Sequence, residues 1–197
     1  MFRIVVLAST RGTDLQAIID EMKAGKMPGI ELSVVISNTK DCFALQRAKE
    51  QGFETHFVSR KDKTREEFDK EMAHIIKEKQ ADLIVLVGYM RILSSWFVRE
   101  FKNKIINIHP AIDMKKYGGA GFFGGNVHEA VLKAGEKETG CTIHYVTEDV
   151  DTGPIIAQAK VKITPDDTVD TLKDKVQAEE KKLYPEVIRN LAQNKVS

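Results

Sequence analysis

The chain has 197 residues, 42% of them hydrophobic and 30% charged, enough to bury a sizeable core without disulfides or structural metal. Thirty basic against 29 acidic residues leave a formal net charge of +1, with the signs interspersed, which argues against a nucleic-acid or membrane-surface partner. Its two cysteines, Cys42 and Cys141, lie far apart without a CxxC pair, so they build neither a disulfide framework nor a zinc ribbon and are expected as small buried hydrophobes.

The apolar run 1–8 breaks at once into Ser9-Thr10-Arg11, too short for a signal-peptide core or a membrane span; a reducing, cytoplasmic setting is expected. Residues 3–8 read as a buried strand. Residues 15–22 read as a helix with Leu15, Ile18, Ile19 and Met22 on one face. A strand at 30–36, a short helix at 43–51 and a brief strand at 55–58 follow. In the helix predicted over 64–79, Phe68, Met72, Ile75 and Ile76 make a single apolar stripe that suits packing on a sheet. Residues 83–87 are apolar at every position, as a parallel strand covered on both faces should be. A strand at 105–109, a helix at 127–134, strands at 141–146 and 155–163, and a long helix over 169–191 kinked at Pro185 complete the series. Alternating β and α followed by β-β-α predicts one α/β domain over 1–197: a doubly wound, mostly parallel sheet flanked by helices, with antiparallel strands near the C-terminal end. The glycine-rich stretch 118–125 falls inside this fold and reads as a mobile loop beside a site.

Ligands of open α/β sheets bind beyond the carboxyl ends of the strands. The first strand runs into Gly12-Thr13-Asp14, and Thr13 with Gln16 has capping-box spacing. Such a turn offers free backbone amides to an anion, although a capped turn without a ligand has the same pattern. One glycine does not make a dinucleotide fingerprint, and no P-loop is present. His56 and His74 read as surface residues, and His128 as part of the helix leaving the glycine stretch. Asn107 and His109 alternate onto one face at a strand end, where an amide donor and an imidazole could hold a developing oxyanion; a structural role for His109 stays open on this ground alone. His109, His144 and Asp151 match no zinc spacing, and no metal is expected.

Asn107-Ile108-His109-Pro110, Gly88-Tyr89-Met90-Arg91-Ile92-Leu93 and Asp151-Thr152-Gly153-Pro154-Ile155-Ile156 occur in one order along the chain. Together they resemble the folate-dependent formyltransferase family, and the likeness extends to Val176-Gln177-Ala178-Glu179-Glu180 and Tyr184-Pro185. The resemblance implies 10-formyltetrahydrofolate as co-substrate, glycinamide ribonucleotide as acceptor, and Asn107, His109 and Asp151 as the catalytic trio. In this reading Asp151 favours and orients a protonated His109, since a neighbouring carboxylate raises a histidine's pKa. By the same resemblance Arg65, Met90, Arg91, Ile92, Leu93, Val98, Asn107, His144, Thr147, Glu148, Asp149, Val150 and Asp151 face the folate. Gly12, Thr13, Asp14, Gln177 and Glu180 face the acceptor.

Two departures from the family pattern bear on the acceptor: aspartate at 14 where asparagine is usual, and a glycine-rich segment after Ala111-Ile112-Asp113-Met114-Lys115-Lys116 where a leucine- and proline-containing one is usual. Alternative readings are transfer to another amine, hydrolysis of 10-formyltetrahydrofolate, and folate binding with little catalysis. The chain length favours the transferase, because hydrolases and the transferases acting on tRNA or nucleotide sugars usually carry a further domain. Partners are expected to be small molecules, with the protein a monomer or homodimer.

Overall fold

The computed structural model describes residues 1–119, 121–122 and 124–196. In chain order the elements are β1 (Phe2–Ala8), α1 (Thr13–Lys23), β2 (Ile30–Ser37), α2 (Phe43–Glu50), β3 (Thr55–Phe57), α3 (Arg65–Glu78), β4 (Leu83–Val87), α4 (Ser95–Glu100), β5 (Ile105–His109), α5 (Met114–Tyr117), α6 (Gly125–Lys133), β6 (Glu138–Tyr145), β7 (Ile155–Lys162) and α7 (Val169–Val196). The strands form one sheet in the order β3-β2-β1-β4-β5-β6-β7. Neighbours from β3 to β5 pair in parallel, and β6 and β7 are added antiparallel. The doubly wound α/β expectation therefore holds, including its antiparallel end.

Central strands are covered on both faces, which is why they read as unbroken apolar runs. On β1, Ile4, Val6 and Ala8 join the core under α1 and α7, while Val5 and Leu7 join Phe68, Met72 and Phe97 of α3 and α4 on the other face. Phe68 and Met72 are wholly buried; burial of a side chain of this size contributes roughly 1.5–3 kcal/mol. Cys42 and Cys141 are buried and unpaired by any disulfide, as their sequence context suggested. Among the described residues no helix is long and apolar enough to cross a membrane.

Local signals differ from expectation at four places. The capping box at Thr13 does not form: α1 begins on Gly12 in the left-handed region (φ 66°) with no side-chain cap. Gln16 instead donates to Asp20 (2.8 Å) and accepts from Arg47 (3.2 Å). A capping box is present at Thr64 and Glu67, where it starts α3. The short α4 was not foreseen; Ser94 caps it by accepting from the Phe97 N–H at 3.2 Å. The glycine-rich stretch is preceded by α5, which Asp113 caps by accepting from the Lys115 and Lys116 amides at 3.1 Å. The expected mobile loop over 118–125 includes Ala120 and Phe123, which lie outside the described residues. Finally, α7 runs through Pro185 as one helix, as expected, but extends to Val196, beyond the expected end at 191.

Candidate active site

The topological reversal between β1 and β4 leaves a crevice at the carboxyl ends of the parallel strands. A cleft of about 690 Å³ opens there. Its floor is the C-terminal ends of β4 and β5. One wall is the 88–93 loop with the turn after β6, and the other is the start of α1 facing α7.

The centre of the cleft follows from strand register. Asn107 on β5 stands opposite His144 on β6, and its Nδ2 lies 3.4 Å from His144 Nε2. His144 Nδ1 donates to its neighbour's carbonyl, Tyr145 O, at 3.0 Å, which orients the ring. His109, two residues beyond Asn107, is 3% exposed. Its Nε2 donates to Tyr117 O at 2.7 Å and its Nδ1 lies 3.5 Å from Asp151 Oδ2. Asp151 Oδ1 is 3.6 Å from His144 Nε2, and Oδ2 accepts from the Gly119 N–H at 3.0 Å. One carboxylate thus faces both imidazoles, held by a turn in which Asp151 itself takes a left-handed conformation (φ 55°).

Burial alone would raise the Asp151 carboxyl, but His144, His109 and the Gly119 amide together hold it below the ordinary carboxylate range. For His109 the balance goes the other way. Both ring nitrogens face acceptors, which favours the imidazolium, yet desolvation outweighs Asp151 and Tyr117 and leaves the ring less basic than an ordinary histidine. Asp151 favours the imidazolium, as expected from the sequence, but burial exceeds its attraction.

On one side of this centre the lining is apolar. Met90, Ile92 and Val150 are large hydrophobic side chains left exposed, and they border the cleft together with Leu93 and Val98. The loop that carries Met90, Ile92 and Leu93 is pinned at both ends. The Met90 N–H donates to Ser9 Oγ at 2.9 Å, and the Ser94 N–H donates to Asp69 Oδ2 at 2.6 Å. Arg91, Thr147 and Glu148 also line this half. On the other side α1 presents its N-terminus. The first-turn amides of any helix lack intrahelical acceptors, and here Gly12 permits a close approach to α2, since a Cβ at that position would sit 2.8 Å from Ala44 Cβ. Asp14, Lys173, Asp174, Gln177 and Glu180 complete this half. Asp14 and Glu180 are both buried; desolvation lifts the Asp14 carboxyl to about 6 and, reinforced by the Asp14 charge, the Glu180 carboxyl to about 8. Tyr184 fixes α7 in register by donating its buried hydroxyl to Leu86 O at 2.7 Å.

A protein-family model described as formyl transferase matches residues 2–188. The chain belongs to this family. It is 40% identical over 186 residues to the Escherichia coli phosphoribosylglycinamide formyltransferase, covering 94% of this chain and 84% of that protein. It is also 42% identical over 192 residues to the trifunctional purine biosynthetic protein adenosine-3 of Drosophila melanogaster; that match covers 96% of this chain but only 14% of the longer protein. Among solved structures, the phosphoribosylglycinamide formyltransferase of Coxiella burnetii superposes with a TM-score of 0.90 at 42% identity, covering 98% of this chain and 88% of that one.

Most residues assigned from sequence meet in the cleft. Two do not line it. Arg65 is exposed at the first turn of α3, and Asp149 is exposed in the turn, where its carbonyl accepts from Thr147 Oγ1 (3.1 Å) and Thr152 Oγ1 (3.0 Å). Sequence reasoning missed Lys173 and His128, which do line it. Lys173 carried a signal, since 173, 177 and 180 fall on one helical face. His128 carried none, because its burial arises from packing of α6 against the cleft. It is 2% exposed, its Nδ1 has no hydrogen-bond partner among the described residues, and desolvation followed by Lys173 lowers its pKa to about 4. Among the described residues no group of His, Cys, Asp and Glu is disposed to hold a metal ion.

Proposed function

We propose that this chain transfers the formyl group of 10-formyltetrahydrofolate to the amine of glycinamide ribonucleotide, as the names of its phosphoribosylglycinamide formyltransferase relatives suggest. The observation that carries the reading is the convergence of Asn107, His109 and Asp151 between an apolar half-cleft and a half-cleft built on a helix N-terminus. The apolar half, with Met90, Ile92 and Val150 exposed in it, suits a flat heteroaromatic ring contacted by apolar walls and backbone groups. The helix N-terminus suits a phosphate. The residues of one sheet and its covering helices supply the whole arrangement, so 1–197 acts as a single catalytic unit in this reading.

The acceptor amine would attack the formyl carbon, and negative charge would develop on the formyl oxygen. Asn107 Nδ2 and the His109 ring are the donors available to it. The His109 Nε2–H is donated to Tyr117 O, so catalysis in this scheme requires that donor to leave the Tyr117 carbonyl for the oxyanion. The proton that the attacking amine sheds passes to the His109 ring, directly or through water, and Asp151 stabilises the imidazolium so formed. Because burial depresses the basicity of His109, the charged ring is a stronger acid than an ordinary imidazolium and can pass that proton to the folate nitrogen as the tetrahedral species collapses and that nitrogen departs. The test is formyl release from 10-formyltetrahydrofolate with and without glycinamide ribonucleotide. Release that depends on the acceptor and yields formylated product supports the transferase. Equal release without it would identify a hydrolase, and no release with intact folate-analogue binding would identify a binding protein.

A further inference from the structure

The acceptor half contains two acidic side chains where an anionic ligand is expected. Asp14 sits in the first turn of α1, lines the cleft and is 6% exposed, and its buried Oδ1 has no hydrogen-bond partner among the described residues. Glu180 of α7, 7% exposed, lines the same half. A buried carboxylate oxygen without a donor is costly in its charged form, and two such groups in one field do not both ionise freely. The surrounding charges do little to relieve them. Lys181 is the cation that acts on both, and it is exposed on α7. The buried Tyr184 hydroxyl and the Cys141 thiol of β6 are each made less acidic by burial and by these carboxylates. Arg11, His128, Lys173 and Asp174 also line the cleft.

We propose that Asp14 and Glu180 act as one electrostatically coupled carboxyl pair in the acceptor half of the cleft, so that binding of a phosphate ester there takes up a proton. The inference rests on the acceptor reading above. The α1 amides attract the phosphate, while an ionised pair beside them repels it. Protonation turns one carboxyl from a repelling charge into a hydrogen-bond donor. Asp14 is thereby a specificity-determining residue: it makes acceptor affinity depend on pH while the apolar half stays indifferent.

The experiment is calorimetric titration of the full chain with glycinamide ribonucleotide from about pH 7 to about pH 9, in buffers of different ionisation enthalpy. A phosphate monoester is already dianionic throughout that range, its second pKa being about 6, whereas the acceptor's α-amino group titrates near about 8; proton uptake is therefore read relative to the Asp14→Asn/Glu180→Gln double variant, which keeps the ligand's titration and lacks the pair. Wild type should take up a proton, with affinity falling toward about tenfold per pH unit above the titration of the pair. Asp14→Asn, which is isosteric, and Glu180→Gln should each remove most of the uptake and flatten the profile. A reduced-folate analogue should bind wild type and Asp14→Asn with the same affinity at every pH. Binding of the ribonucleotide to wild type without proton uptake, or the same uptake in Asp14→Asn, would overturn the pair and leave the acceptor assignment standing. No binding at any pH, with folate-analogue binding intact, would overturn both.

Discussion

Gly153 offers the sharpest test of how the fold holds its central carboxylate. A Cβ added there would lie 1.7 Å from Tyr145 O and 2.8 Å from the carbonyl carbon. Ordinary non-bonded contacts are about 3.5 Å, so Gly153→Ala must part the turn from the end of β6 by roughly 1.5 Å or more. The strand end cannot yield easily, because the Tyr145 N–H is bonded to Pro154 O at 2.9 Å and its partner strand β5 carries Asn107 and His109. The displacement therefore falls on the turn and moves Asp151, two residues earlier, relative to His109 and the Gly119 amide. Overpacking of this kind typically costs 1–3 kcal/mol, and a misplacement of about 1 Å at reacting groups can cost about a hundredfold in rate. We expect Gly153→Ala to lower the formyl-transfer kcat by about a hundredfold and to lower the denaturation midpoint. Gly125→Ala, whose Cβ would meet nothing closer than Val169 Cγ1 at 3.9 Å, should remain as stable as the parent. Both quantities are measured on purified protein by initial rates at saturating substrates and by urea unfolding. A Gly153→Ala protein with parental kcat and midpoint would refute the claim that this close approach positions Asp151.

Asn107→Ala and His109→Ala should each lower turnover by at least about a hundredfold, as loss of an oxyanion donor does, with far-ultraviolet circular dichroism unchanged; near-parental rates would remove that residue from the chemistry. Tyr184→Phe should cost about 1–2 kcal/mol in urea unfolding, because Leu86 O loses the donor it holds at 2.7 Å in the interior, and an unchanged midpoint would show that the carbonyl finds another. His128, lowered to about 4 by burial and Lys173, favours the folded state in its neutral form. Its contribution is fully present above the ordinary histidine value of about 6.5 and is lost as pH falls through about 4, at most about 3 kcal/mol. His128→Gln should flatten the stability profile over that interval, and parallel wild-type and variant profiles would contradict the assignment.

Periodicity alone carried most of the architecture. The unbroken apolar runs of β1 and β4 can be buried only between two layers, and the one-sided stripe of α3 can lie only on a sheet, so both elements and the doubly wound order were legible before any coordinates. Alternation also placed Asn107 and His109 on one face, since a strand repeats every two residues whatever surrounds it. Tertiary structure decided what those side chains meet. Gly12 rather than a threonine side chain starts α1 because Ala44 of α2 leaves no room for a Cβ there. His109 lost basicity because the packing around it removes water, which no count of neighbouring carboxylates in the sequence can weigh against Asp151. Arg65 and Asp149 carry charges that the fold leaves in solvent, while Asp14 and Glu180, separated by nearly the whole chain, are buried together by the packing of α1 against α7. Sequence patterns report the short-range repeats that each element imposes on itself. Desolvation, close approach and the meeting of distant charges depend on which surfaces the folded chain brings into contact, and at this site those contacts set the chemistry.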